Sequence, residues 1–163
     1  MSKTRRMTMI TMLIAISILF HMIESMIPLP FVVPGFKLGL ANIVGLVALY
    51  LFGGKVMLEV NFMRVLLASL LKGIIFGTGF WLSLCGVTLS CLASIAAKRY
   101  TPMSMYGVSV AGSCFHAVGQ VIAVTIIYQQ FFMQAVLPIL VLLAIPTGLC
   151  MALIAQQVCT RLK

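Results

Sequence analysis

The stretch VMLEVNFMRVLLASLLKGIIF, residues 56–76, decides how many membrane crossings this chain makes. A transmembrane helix needs about 20 mostly apolar residues, and this run supplies them. It also carries Glu59, Asn61, Arg64 and Lys72. An arginine at the centre of a bilayer costs about 2.5 kcal/mol or more on insertion scales. Counted as a span, the stretch therefore demands that Arg64 face the bundle interior, a water-filled cavity or a carboxylate. Left out, it reduces the chain to five spans.

Composition sets the environment. Of the 163 residues, 63% are hydrophobic and 8% charged, and the mean hydropathy is +1.20. A soluble domain carries about 25% charged residues, so this chain lacks the polar surface to cover its apolar bulk in water. The reading is an all-α integral membrane protein, a single transmembrane helical domain over 1–163. Strict apolar–polar alternation is absent, which argues against a closed barrel. Five further runs qualify beside 56–76: Met7–Ile27, Leu38–Phe52, Gly79–Ala97, Met105–Tyr128 and Val136–Val158. The second either is short or borrows from Phe31–Phe36. The first is too long for a signal peptide and has no cleavage signal.

The charges test the count. Eleven Lys and Arg stand against two carboxylates, Glu24 and Glu59, for a net charge of +9. In a soluble protein that excess would suggest nucleic acid; here it marks cytoplasmic loops, and the bilayer is the partner. With six helices and both termini cytoplasmic, Lys3, Arg5, Arg6, Lys55, Lys98, Arg99, Arg161 and Lys163 lie inside, and Lys37 and Lys72 outside. A five-helix chain would put Lys98 and Arg99, or the C-terminal Arg161 and Lys163, on the wrong side. The expected location is a plasma membrane of bacterial type, crossed several times.

Polar residues inside the spans need reasons. Arg64, Ala68 and Lys72 follow at i, i+4 and i+8 and share one helix face. His116 and Gln120 share a face of the fifth helix. His21 and Glu24 lie near the outer end of the first helix, and Asn42 at the outer end of the second. Glu24, Lys37, Asn42, Lys72 and Gln120 thus gather towards the outer half, with Arg64 and His116 beneath. Their net charge is positive, which suits an anionic or polar ligand. Structural readings stand beside this one. Arg64 can pair with Glu24 or Glu59 as a bridge, His116 can be an interhelical hydrogen-bonder, and Lys37 and Lys72 can snorkel to the interface. Trp81 and Tyr50 fit an interfacial belt. Small residues at Gly107, Ala111, Gly112 and Ser113 permit close helix contact, and Pro146 invites a kink. Thr11 and Ala15 form a small-xxx-small step on the first helix, a face that can dock a partner.

Several chemistries are excluded. No GxxxxGK[ST] occurs, so the chain has no P-loop, and no HExxH occurs. The sequence contains no aspartate, so no Asp-rich Mg²⁺ site for diphosphate chemistry can form. Cys85, Cys91, Cys114, Cys150 and Cys159 lie singly in apolar segments and read as small buried hydrophobes. No metal site, no cofactor and no catalysis by this chain alone are expected. Binding and translocation are the stronger class.

Residues 35–53 (GFKLGLANIVGLVALYLFG), then RVLLASLLKG, LSLCGVTLS and GVSVAGSCFHAVGQ, resemble the membrane family labelled heptaprenyl diphosphate synthase component I, also called Gx transporter. The resemblance runs from about Ile27 to Gly148. KLGLAN is intact at Lys37–Asn42, while Ala117 replaces the asparagine that usually follows His116. Six short helices without a nucleotide site are similar to the substrate-binding S components of energy-coupling-factor (ECF) transporters. That similarity implies capture of a vitamin, quinone or isoprenoid precursor from outside, with Lys37, Asn42, Arg64, Lys72, His116, Gln120 and Glu24 as binding residues. It also implies a T component and two cytoplasmic ATPases as partners, docked near Thr11 and Ala15. The family label implies an alternative: a membrane accessory subunit of polyprenyl diphosphate synthesis with no catalytic site of its own.

Overall fold

The computed structural model describes residues 3–26, 39–129 and 131–162. The described chain is helical, with no strand among those residues. Six α-helices follow in order: α1 (Lys3–Met26), α2 (Asn42–Phe52), α3 (Gly54–Leu71), α4 (Thr78–Tyr100), α5 (Met105–Tyr128) and α6 (Leu137–Leu162). A 3₁₀ turn, Phe131–Val136, leads into α6.

α2 is the centre of the bundle. It packs against α1, α3, α4 and α6, and every residue from Ile43 to Leu49 is buried. A helix that is apolar all round has no face for water and must be surrounded. Yet α2 has 11 residues, about 16 Å of rise, against a hydrocarbon core of about 30 Å. The expected span over Leu38–Phe52 is thus a shorter helix. A turn at Gly39–Asn42, with the Asn42 amide on the Gly39 carbonyl at 2.7 Å, precedes it. Gly39 lies at φ +84°, where L side chains are strained. Asn42 is consequently the first residue of α2, at the helix end away from the Gly53 turn.

Gly53 reverses the chain between α2 and α3. Its φ of 96° needs glycine, and its N–H caps α2 through the Ala48 and Leu49 carbonyls. α3 then runs 18 residues and ends at Leu71, short of the expected Phe76. Its polar Asn61, Arg64 and Ser69 are all buried, so this helix turns its polar side inward.

α4 and α5 form the most extensive helix contact, followed by α5 with α6. The close approach runs through Gly112 and Gly119. A Cβ at Gly119 would stand 2.7 Å from the Cys85 carbonyl oxygen and 2.8 Å from Gly86 Cα. Gly112 faces Ser94 and Ser90. At Gly107, expected in this seam, the nearest atoms belong to Met103 of its own connection. Across α5–α6, Ser109 Oγ donates to the Gly148 carbonyl at 2.7 Å. Pro146 lies inside α6 without ending it, and Thr147 Oγ1 bonds back to the Leu143 and Ala144 carbonyls.

Four helices, α1, α4, α5 and the segment Gln134–Leu162, are long and apolar enough to cross a membrane. Large apolar residues such as Leu19, Ile126 and Leu142 are exposed. Water would not tolerate so many, and lipid would. α1 fits that setting well. It packs on α2 and α3 and buries only Ser17, His21 and Glu24.

Chain reversals sort the charges. The start of α1, the α2–α3 turn, the α4–α5 connection and the end of α6 lie at one end of the bundle. Lys98 of α4 reaching Leu49 of α2, and Cys159 of α6 lying near Tyr50, fix that alignment. Lys3, Arg5, Arg6, Lys55, Lys98, Arg99 and Arg161 therefore share this end. Among the described residues, Lys72 is the basic residue at the opposite end.

Candidate polar site inside the bundle

Arg64 is 2% exposed. Its Nη2 donates to Asn42 Oδ1 at 3.4 Å, a long contact between α3 and the start of α2. Glu24, at the end of α1, is also buried. It accepts the backbone N–H of Gly39 and lies in electrostatic reach of both Arg64 and Lys72. Glu59 is exposed on α3 near the basic end. Of the two carboxylates that sequence offers as partners for Arg64, the fold brings Glu24. Ala68, between Arg64 and Lys72 on the shared face, is fully buried, and Lys72 caps α3 half-buried. Glu24, Asn42, Arg64 and Lys72 thus form one cluster at the junction of α1, α2 and α3.

One turn below Arg64, Asn61 Nδ2 donates to Cys91 Sγ of α4 at 3.2 Å. The approach of α2 to this amide requires a glycine. A Cβ at Gly45 would stand 2.5 Å from Asn61 Nδ2.

His116 and Gln120 are both buried and pack on Gly86 of α4, where a Cβ would come within 3.0 Å of each. A small void lies beside Asn42 of the first cluster. Asn42, Ser90, Ser94, Ser109 and Ser113 line it. Its volume, about 10 Å³, is near the least that holds one water. Ser113 precedes His116 by three residues on the same face of α5, so the serine-lined void and the His116–Gln120 pair are neighbours along that helix in the polar interior. Sequence reasoning missed the serines at Ser90, Ser94 and Ser109. Their i, i+4 spacing on α4 and on α5 is the signal that finds them.

This interior is not fully paired. Arg64 Nε and both amide atoms of Gln120 find no hydrogen-bond partner among the described residues. Buried polar groups rarely stay so without a water or ligand to meet them. Lys37, expected in the outer half of the site, lies outside the described residues. Thr11 and Ala15 are exposed on α1, and the Thr11 hydroxyl is turned back to the Met7 carbonyl. Trp81 packs edge-on against Phe80. Tyr50 is not simply an interfacial anchor, because Lys98 Nζ stands 4.2 Å above its ring. Among the described residues no group of three His, Cys, Asp or Glu could hold a metal.

The family model for heptaprenyl diphosphate synthase component I matches residues 13–158. That span takes in α2 to α5 whole, most of α1 and α6, and every described residue of the polar interior. The chain belongs to the heptaprenyl diphosphate synthase component I family. No curated protein and no solved structure gives a match. A component I is not catalytic alone, in keeping with a chain that has no aspartate. The family name implies a partner synthase component rather than a T component and ATPases.

Proposed function

We propose that this component I is a membrane-embedded, non-catalytic subunit of polyprenyl diphosphate synthesis. Its polar interior binds a small anionic or polar molecule, and a separate component performs the chemistry. The chain crosses a plasma membrane six times with both termini in the cytoplasm. The gathering of basic residues at one bundle end supports that orientation. α3 crosses with its polar face inward.

The observation that carries the binding role is Arg64. A guanidinium 2% exposed, with one long contact to Asn42 and an unpartnered Nε, is poorly satisfied for a purely structural group. An anionic ligand would complete its donors. Lys37, Lys72 and Glu24 would set the charge at the outer mouth, and Asn42, His116 and Gln120 would give direction.

A second reading has one observation of its own. The Glu24–Arg64–Lys72 cluster lies towards the end opposite the basic residues, hence outside, while α1 exposes Thr11 and Ala15. That arrangement suits an S-component-like importer subunit, which takes its ligand from outside and docks a T component and two ATPases.

Mass spectrometry of ligand retained by the purified chain tests the binding role. Each charge-assisted hydrogen bond contributes about 1.5–3 kcal/mol. Arg64→Ala and Lys37→Ala should therefore each weaken retention about tenfold or more, with insertion intact. Unchanged retention in both variants would end the anion-site reading.

A further inference from the structure

A second site lies at the basic end of the bundle, remote from the polar interior. The α2–α3 turn and the last turn of α4 enclose a cleft of about 430 Å³. That volume falls within the range of small-molecule sites. Leu49, Leu58 and Ile95 give it an apolar floor, and Lys55, Lys98 and Arg99 stand around it. The floor is tightly built, since a Cβ on Gly54 would come within 3.1 Å of Ile95. Lys98 is held in place, with Nζ 2.9 Å from the Leu49 carbonyl and over the Tyr50 ring. Its charge is therefore fixed at the rim before any ligand arrives. Glu59, one helical turn beyond Lys55, is the nearest carboxylate in sequence and does not line the cleft.

Charge sidedness alone explains why cations collect at this end. It does not explain an open cleft with apolar residues at its base and cations from two helices around it. We infer that this cleft binds the phosphate or diphosphate head of an amphiphile, whose hydrocarbon part lies against Leu49, Leu58 and Ile95. Lys55 and Arg99 contact the head group. Arg99 can meet two phosphate oxygens with its fork, and Lys55 supplies a mobile point charge. An isoprenoid diphosphate and an anionic phospholipid share this chemistry. The inference deepens the polyprenyl diphosphate reading and rests on it only for the choice of the first probe.

The test uses the full chain in nanodiscs of phosphatidylcholine alone. Farnesyl diphosphate binding is measured for the wild type and for Lys55→Gln/Arg99→Gln, with inorganic diphosphate as competitor. Phosphatidylglycerol retention is measured in parallel. Loss of two charge-assisted contacts should weaken the bound amphiphile at least tenfold. If farnesyl diphosphate is the one weakened, the cleft takes an isoprenoid; if phosphatidylglycerol, it takes a lipid head group. Either result supports the site. Equal retention of both by wild type and variant overturns it, as does inorganic diphosphate binding as tightly as farnesyl diphosphate. A Leu58→Trp variant, which fills the floor and leaves every charge, should also reduce binding. If it binds as the wild type does, the apolar floor plays no part and the amphiphile assignment fails. None of these readouts needs a synthase partner, so failure here is distinct from failure of the partner reading.

Discussion

Replacing Gly119 by alanine should lower the stability of the bundle by about 3 kcal/mol, the upper part of the range for overpacked cores. The added methyl would meet the Cys85 carbonyl oxygen at 2.7 Å and Gly86 Cα at 2.8 Å. Both are backbone atoms, so no rotamer change relieves the clash. α4 and α5 must move apart along their largest interface. The displacement also carries His116 and Gln120 away from Gly86, so ligand retention should fall with stability. Thermal unfolding in detergent reads the effect. Gly79→Ala is the control, because its Cβ would meet only Ile74 Cδ1 at 3.8 Å. Within a helix that change should be neutral or slightly stabilising. Equal melting temperatures for Gly119→Ala and the wild type would contradict the α4–α5 packing.

Arg64→Ala is expected to cost about 1–3 kcal/mol, as leaving buried polar partners unsatisfied does. The loss leaves Glu24 buried and Asn42 without its donor. Glu24→Gln keeps an acceptor for the Gly39 N–H and removes the charge. The double variant Glu24→Gln/Arg64→Met should therefore be less destabilised than the sum of the single changes. A coupling of about 0.5–3 kcal/mol is expected for groups in one network. Zero coupling would mean that Glu24 serves only the Gly39 turn and that Arg64 answers to a ligand alone.

Much of the fold is legible in the run lengths. Met105–Tyr128 appears in the sequence with the same ends as α5, and the runs at Met7, Gly79 and Val136 locate α1, α4 and α6. α2 is the short helix that the sequence allows, because a left-handed Gly39 turns the chain just before Asn42. The polar site is legible as a demand rather than a geometry. The sequence requires a partner for Arg64, but choosing Glu24 over Glu59 needs the packing of α1 on α3. Ser90 with Ser94 and Ser109 with Ser113 show i, i+4 spacing in the sequence, but that the two pairs line one void shows only once α4 and α5 pack together. Lys98 reads as a topology mark, since the Leu49 carbonyl it meets on α2 is 49 residues away along the chain. The basic cleft depends on that contact and is invisible before it.

The central claim is that this chain is a membrane subunit working beside a separate synthase component. Affinity isolation of the full chain from its native membranes, with identification of what accompanies it, tests that most directly. The account predicts a soluble Asp-rich prenyl diphosphate synthase in stable association, whose product formation rises when the chain is added back in liposomes. A stable complex with two P-loop ATPases and a transmembrane T component, and no synthase, would contradict it and favour the importer.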